Sequence, residues 1–198
     1  MQITSCQRCE LYSQCNGVIK PRGKYTQPIV VVQDTPTLQD DDVGVIGIGD
    51  AGIMLERAFA SISCNTQSFY VTSLVRCKPK DKLKKSQIYA CYRYLYRELV
   101  SRQPKCIVLL GDAPLKLFLD SKANLTECNG KYFNAPLPRP RTIAKRKDKK
   151  LYTDQVYCFL PLFHPSALLR NYSLDVGSHK WHTWKALLKL ASDFDFLF

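Results

Sequence analysis

Apolar positions along this chain follow two rhythms. Short unbroken apolar runs at 28–33 (PIVVVQ), 69–75 (FYVTSLV), Cys106–Leu110 (CIVLL) and 156–160 (VYCFL) predict strands covered on both faces. Gly111 ends the third run, and Pro161 is expected to stop the fourth. Between them the spacing turns helical. Segment 51–61 carries Ile53, Leu55, Ala58 and Phe59; segment 85–102 repeats Ile88, Cys91, Leu95 and Leu99; a last helix is expected over about 179–191. Strands alternating with helices imply right-handed crossovers. The fold class expected is α/β: a three-layer α/β/α sandwich around a central, mainly parallel four-stranded sheet, built as one domain over 1–198. In such sheets ligands sit at the carboxyl ends of the strands, so the segments after each strand are the place to look for chemistry.

Composition adds a partner. The 198 residues hold 29 Lys and Arg against 17 Asp and Glu, a net charge of +12, which favours a polyanion such as DNA. Seven of those cations crowd between Arg139 and Lys150, inside a basic loop at about 136–150 (PLPRPRTIAKRKDKK). That loop reads equally as a solvated surface insertion and as a DNA-contacting arm carrying Arg139, Arg141, Lys145 and Arg146. No apolar run is long enough for a membrane helix, and the first residues lack a signal-peptide pattern. A cytoplasmic monomer is therefore expected.

Nine cysteines without a secretion signal argue against a disulfide framework. Cys6-Gln-Arg-Cys9 is a C-x-x-C pair, and Cys77 and Cys91 bracket a basic stretch. Together these four could close a shell around zinc or an iron–sulfur cluster, and spacing does not choose between them. Cys15 is a competing ligand; Cys64, Cys106, Cys128 and Cys158 read as buried or free thiols.

Longer motifs sharpen the picture. Cys6-Gln-Arg-Cys9-Glu-Leu11, the run from Gln33 to Leu55, Tyr70-Val-Thr-Ser-Leu-Val-Arg-Cys-Lys-Pro79, the segment Pro104 to Ala113 and His164-Pro-Ser-Ala-Leu-Leu-Arg170 follow one another in order. In this the chain resembles the family-4, iron–sulfur uracil-DNA glycosylases over nearly its whole length. In their first loop pattern, Pro36, Asp40, Asp41, Gly44, Gly49, Ala51, Gly52 and Leu55 fall in register without a gap. The resemblance implies a structural [4Fe–4S] cluster on Cys6, Cys9, Cys77 and Cys91, and a DNA substrate whose target base is flipped into a pocket.

Cleaving an N-glycosidic bond passes through an oxocarbenium-like sugar with negative charge growing on the base. A carboxylate must serve the sugar cation and the water, and Asp34 stands where the family has Glu. A donor must meet the oxyanion, and His164 matches the motif histidine. Leu168 or Leu169 would wedge the vacated stack, while Ser166 and Arg170 would meet the DNA backbone. By the same resemblance Gln33, Thr35, Pro36, Gly47 and Ser73 line the base pocket. Two of these depart from the pattern: the stacking Phe is Gly47 and the base-reading Asn is Ser73. Both changes remove volume and contacts that hold uracil. The expectation is a DNA glycosylase with a pocket enlarged for a modified pyrimidine, such as hydroxymethylated or glucosylated cytosine of viral DNA, in antiviral defence or as a phage enzyme. The alternatives are a conventional uracil-DNA glycosylase of base excision repair and a non-catalytic DNA-binding relative.

Overall fold

The computed structural model describes residues 3, 5–62, 69–140, 153–170, 173 and 175–193. Strands β1 (Ile29–Gln33), β2 (Phe69–Ser73), β3 (Cys106–Leu110), β4 (Phe133–Pro136) and β5 (Val156–Leu162) form one sheet in the order β2-β1-β3-β5-β4. The first three strands are buried at every position, as their unbroken apolar character requires. All neighbouring pairs are parallel except β4 with β5.

Among the described residues the α-helices are α1 (Leu38–Val43), α2 (Asp50–Ala60), α3 (Lys85–Arg102), α4 (Asp112–Phe118), α5 (Leu125–Cys128), α6 (Pro165–Arg170) and α7 (His179–Asp193). Alternation along each strand divides the core in two. Ile29, Val31, Phe69 and Val71 pack with Leu55 and Phe59 of α2 and Leu187 and Leu190 of α7. Val30, Val32 and Tyr70 face the opposite way, onto Leu95, Tyr96 and Leu99 of α3 and Phe118 of α4. This is the expected three-layer sandwich.

Two expectations about the sheet need correction. Among the described residues it has five strands, not four: β4 pairs antiparallel with β5 at the edge, from Phe133↔Phe159 to Pro136↔Val156. Its burial simply alternates, and a four-residue run ending in Pro gives little signal of its own. Pro161 does not stop β5, which runs on to Leu162 with Pro161 paired to Leu109. The pairing with β4 ends at Phe159. The carbonyl of Pro161 faces the open side beyond it, where it accepts from the Gly130 N–H at 2.9 Å. A residue's N–H and C=O point the same way in a strand, so the missing donor of proline falls where no partner strand needs it.

The chain leaves β1 for β2 on one side and then crosses to β3 on the other. That reversal opens a crevice at the carboxyl ends of the strands, where ligands bind in sheets of this type.

Candidate active site

The loop after β1 begins with Asp34, and the loop after β5 presents His164 just before α6. The two meet over the end of the sheet, His164 Nε2 lying 4.0 Å from Asp34 Oδ1. Asp34 is nearly half exposed, and the Thr35 N–H donates to its Oδ1 at 2.7 Å.

The imidazole is held in one tautomer. The Ser166 backbone N–H donates to His164 Nδ1 at 3.2 Å, and the Ser166 hydroxyl lies 2.8 Å from the same atom. A backbone amide can only donate, so Nδ1 accepts and the neutral ring carries its proton on Nε2, facing Asp34. Burial pushes the His164 pKa below its ordinary value; the Asp34 carboxylate opposes this, and the Arg170 cation adds to it. The group facing the crevice at neutral pH is therefore an uncharged Nε2–H donor. Behind it, the Asn129 side-chain carbonyl accepts from the Phe163 N–H at 3.0 Å and pins the exit from β5. Gly111, at φ +89°, takes a backbone conformation that favours glycine, and it packs beside His164, whose Cβ would be in ordinary van der Waals contact with a Cβ there at 3.5 Å.

The loop from 34 to 49 is shaped by a fully buried carboxylate. Asp40 accepts from the N–H of Thr37 at 2.8 Å and of Ile48 at 2.7 Å, and Thr37 Oγ1 accepts in return from the Asp40 N–H at 3.2 Å. Asp41 accepts from the Asn16 N–H at 3.2 Å, tying this loop to the cysteine-bearing segment. The motif aspartates thus build the loop rather than touch its contents.

Among the expected pocket residues, Gln33 is buried and donates from Nε2 to the Thr35 carbonyl at 2.9 Å. Ser73 lies beside it in register, and its hydroxyl is spent on the Val75 carbonyl at 2.6 Å. Pro36 is likewise buried, in the loop that leaves Asp34. Gly47 has φ +74°, a conformation that L side chains rarely adopt, and a Cβ there would stand 3.3 Å from Arg22 Nη2, the far end of a flexible side chain. Sequence reading missed Arg22, Asp40's role and Asn129; the in-register aspartate was the only signal for any of them.

On α6 the two leucines separate. Leu168 is buried, whereas Leu169 and Arg170 are exposed. Leu168 faces an apolar groove of about 300 Å³ with Met54, Trp181, Trp184 and Leu187. Arg139 is exposed and paired with Asp154 at 3.1 Å. Arg141, Lys145 and Arg146 lie outside the described residues, as does Cys64.

The cysteines converge from three segments. Cys9, Cys15, Cys77 and Cys91 share one small apolar cluster with Leu11 and Val75. Cys6 lies 3.7 Å from the Tyr94 hydroxyl of α3 and, with Cys9, near enough to Cys91 to influence its thiol. Burial pushes the Cys91 thiol up to about 11 and raises Cys77 further. Among the described residues no group of three or more of these side chains stands at metal-binding distances. The donor set is soft and free of carboxylates, so its chemistry fits a thiolate-bound cluster. Cys106 is buried, and Cys128 and Cys158 are half-buried. Cys106 and Cys158 are neighbours across β3 and β5, and the hydrogen bond between them lowers Cys158 to about 7.

A mostly parallel sheet flanked by helices, with a carboxylate and a histidine converging at the carboxyl ends of its strands, defines the class as an α/β protein with a candidate site in its switch-point crevice. The chain belongs to the uracil DNA glycosylase superfamily, whose family model matches residues 21–188, and is by that membership a DNA glycosylase. It is 26% identical over 177 residues to a type-4 uracil-DNA glycosylase of Saccharolobus solfataricus, covering 86% of this chain and 75% of that protein. A type-4 uracil-DNA glycosylase of Thermotoga maritima is 26% identical over 175 residues, covering 87% and 82%. One from Archaeoglobus fulgidus reaches 30% over 112 residues, or 56% of each chain. Among the described residues no helix is long and apolar enough to cross a membrane.

Proposed function

We propose that this protein hydrolyses the N-glycosidic bond of a pyrimidine flipped out of DNA, and that its pocket accepts a modified base. The observation that carries the first part is the facing pair, Asp34 and a histidine fixed as its Nε2–H tautomer. The C1′–N bond breaks with its electron pair moving onto the base, where the charge spreads to a ring carbonyl oxygen. His164 Nε2–H donates a hydrogen bond to that oxyanion from a desolvated position. Asp34 stabilises the sugar cation and takes the proton of the water whose oxygen bonds to C1′. The base departs after gaining a proton, leaving an abasic site. Leu169, exposed near the end of α6, fills the vacated stack, and Arg170 meets a phosphate.

Cys6, Cys9, Cys77 and Cys91 would hold a [4Fe–4S] cluster, with Cys15 beside them. Bound there, such a cluster would order the loops that carry these cysteines, and the bond breaking would rest with Asp34 and His164. The second part of the proposal rests on Ser73 and Gly47: the one has its hydroxyl turned to its own loop, and the other offers no ring to uracil. Such a pocket suits hydroxymethylated or glucosylated pyrimidines of viral DNA.

An abasic-site assay over duplexes containing uracil, 5-hydroxymethyluracil, 5-hydroxymethylcytosine and its glucosylated form tests both parts. Excision that disappears in Asp34→Asn supports the chemistry. Efficient cutting of uracil alone would replace the modified-base reading with a conventional repair enzyme. Absence of cutting throughout would leave a DNA-binding relative.

A further inference from the structure

We propose that loop 78–84 is a second DNA-binding surface, on which Lys80, Lys82 and the adjoining Lys85 hold backbone phosphates to one side of the target nucleotide. This rests on the glycosylase reading above and adds where the duplex lies on the molecule.

Topology decides which edge of the sheet the loop occupies. The chain leaves β2 at Ser73, whose neighbour in register is Gln33, the residue before Asp34. The Leu74 N–H donates to the Gln33 carbonyl at 2.9 Å, and residues 74–77 are buried. Residues 78–84 then lead into α3, which runs back towards Cys106, the first residue of β3. Because β1, β2 and β3 are parallel, the loop and the first turn of α3 lie at the carboxyl ends of the strands, the edge that carries Asp34 and His164. In the sheet order, β2 stands at one side, and β5, which leads to His164 and α6, stands beyond β1 and β3. Three strand spacings separate β2 from β5, roughly 14 Å. The loop and Arg170 therefore flank the crevice from opposite sides.

The backbone beneath the lysines is anchored. Cys77 and Pro79 are buried, and Leu83 packs against the small cluster of Leu11 and Val75. Gln87, buried in the first turn of α3, accepts from the Lys84 N–H at 2.9 Å and donates from Nε2 to Glu10 Oε1 at 2.8 Å. Between these anchors Lys80, Lys82 and Lys85 are exposed.

Their charge is not cancelled locally. Glu10 pairs with Lys84 at 2.9 Å, and Asp81 also acts on Lys84. The first turn of α3 contains no acid. Among the described residues none of Lys80, Lys82 and Lys85 has an ion-pair partner. Three like charges on a held backbone repel one another and attract a polyanion, and binding one relieves the repulsion. At 3.4 Å per base pair, 14 Å is about four pairs of duplex. Phosphates within half a helical turn of a nucleotide at Asp34 and His164 therefore come within reach of the loop.

The test measures salt dependence and flank length. A duplex with a central tetrahydrofuran abasic analogue is titrated with the full chain and with the triple variant Lys80→Gln, Lys82→Gln, Lys85→Gln. The log–log salt slope should become shallower by about two to three. Lys105→Gln, exposed at the amino ends of the strands, should leave it unchanged. Shortening one flank of the duplex to about two base pairs should weaken the wild type and leave the triple variant unaffected, whereas shortening the other should weaken both alike. If the triple variant melts below the wild type, Lys80→Gln and Lys85→Gln singly decide the matter, each lowering the slope by about one. An unchanged slope, or a lysine dependence that is equal for the two shortened duplexes, overturns the proposal. Failure to excise any base, with slope and flank effects as expected, counts against the glycosylase reading alone.

Discussion

At the scale of single residues, the site turns on the protonation of one ring. In the proposed mechanism His164 works as a neutral donor, and burial and Arg170 both disfavour its imidazolium. Protonation would bring a second hydrogen to Nδ1, against the Ser166 N–H. The acidic limb of the kcat profile is therefore expected below the ordinary histidine range. Arg170→Gln removes a cation and should move that limb to higher pH, whereas Asp34→Asn removes an anion and should lower the His164 pKa, read by NMR titration. His164→Ala should cost about 10²–10³ in kcat, the loss typical of one oxyanion donor, measured by single-turnover abasic-site formation. Motif position picked out both residues. The tautomer, and the turning of the Ser73 hydroxyl to Val75, came from contacts with atoms that the side-chain type alone does not specify.

At the scale of elements, the site is as good as the loop holding it. Asp40 is buried and its carboxylate takes two backbone N–H groups, from Thr37 and Ile48. Charged acceptors of this kind contribute about 1.5–3 kcal/mol each, so Asp40→Ala should destabilise by roughly 3 kcal/mol or more. A melting curve should show the loss as a drop of at least about 6 °C for a chain of this size. Activity should fall with it although Asp40 itself faces away from the crevice. Asn129→Ala frees the Phe163 N–H and should lower kcat more than stability, because what it loosens is the exit from β5 toward His164. The strands β1, β2 and β3 were legible because burial on both faces demands continuous apolar runs. β4 was not, and β5 was read short, because an edge strand and a proline gain their meaning only from the neighbour they do or do not have.

At the scale of the whole molecule, a charge of +12 and a crevice at the sheet's carboxyl edge suit a polyanionic duplex. Affinity for DNA should fall linearly on a log–log plot against salt, and the slope should shrink by about one for each phosphate-binding cation removed, Arg170 being the first to test. On the proposed assignment of a cluster to Cys6, Cys9, Cys77 and Cys91, Cys77→Ser should abolish visible cluster absorption and lower the melting temperature, while any folded remainder retains the Asp34–His164 pair. The sequence by itself determined the α/β alternation, the family resemblance and the positions of Asp34 and His164 as the candidate pair. Those depend on local spacing and residue type, which the chain carries in linear order. Only the tertiary structure decided which side chain packs against Gly47. Arg22 and Gly47 are 25 positions apart, and nothing in their spacing links them; the bridge to Val71 and the ion pair with Glu56 bring the guanidinium over the glycine. Whether a lost side chain leaves a cavity depends on the atoms packed against it, and those come from elsewhere in the chain.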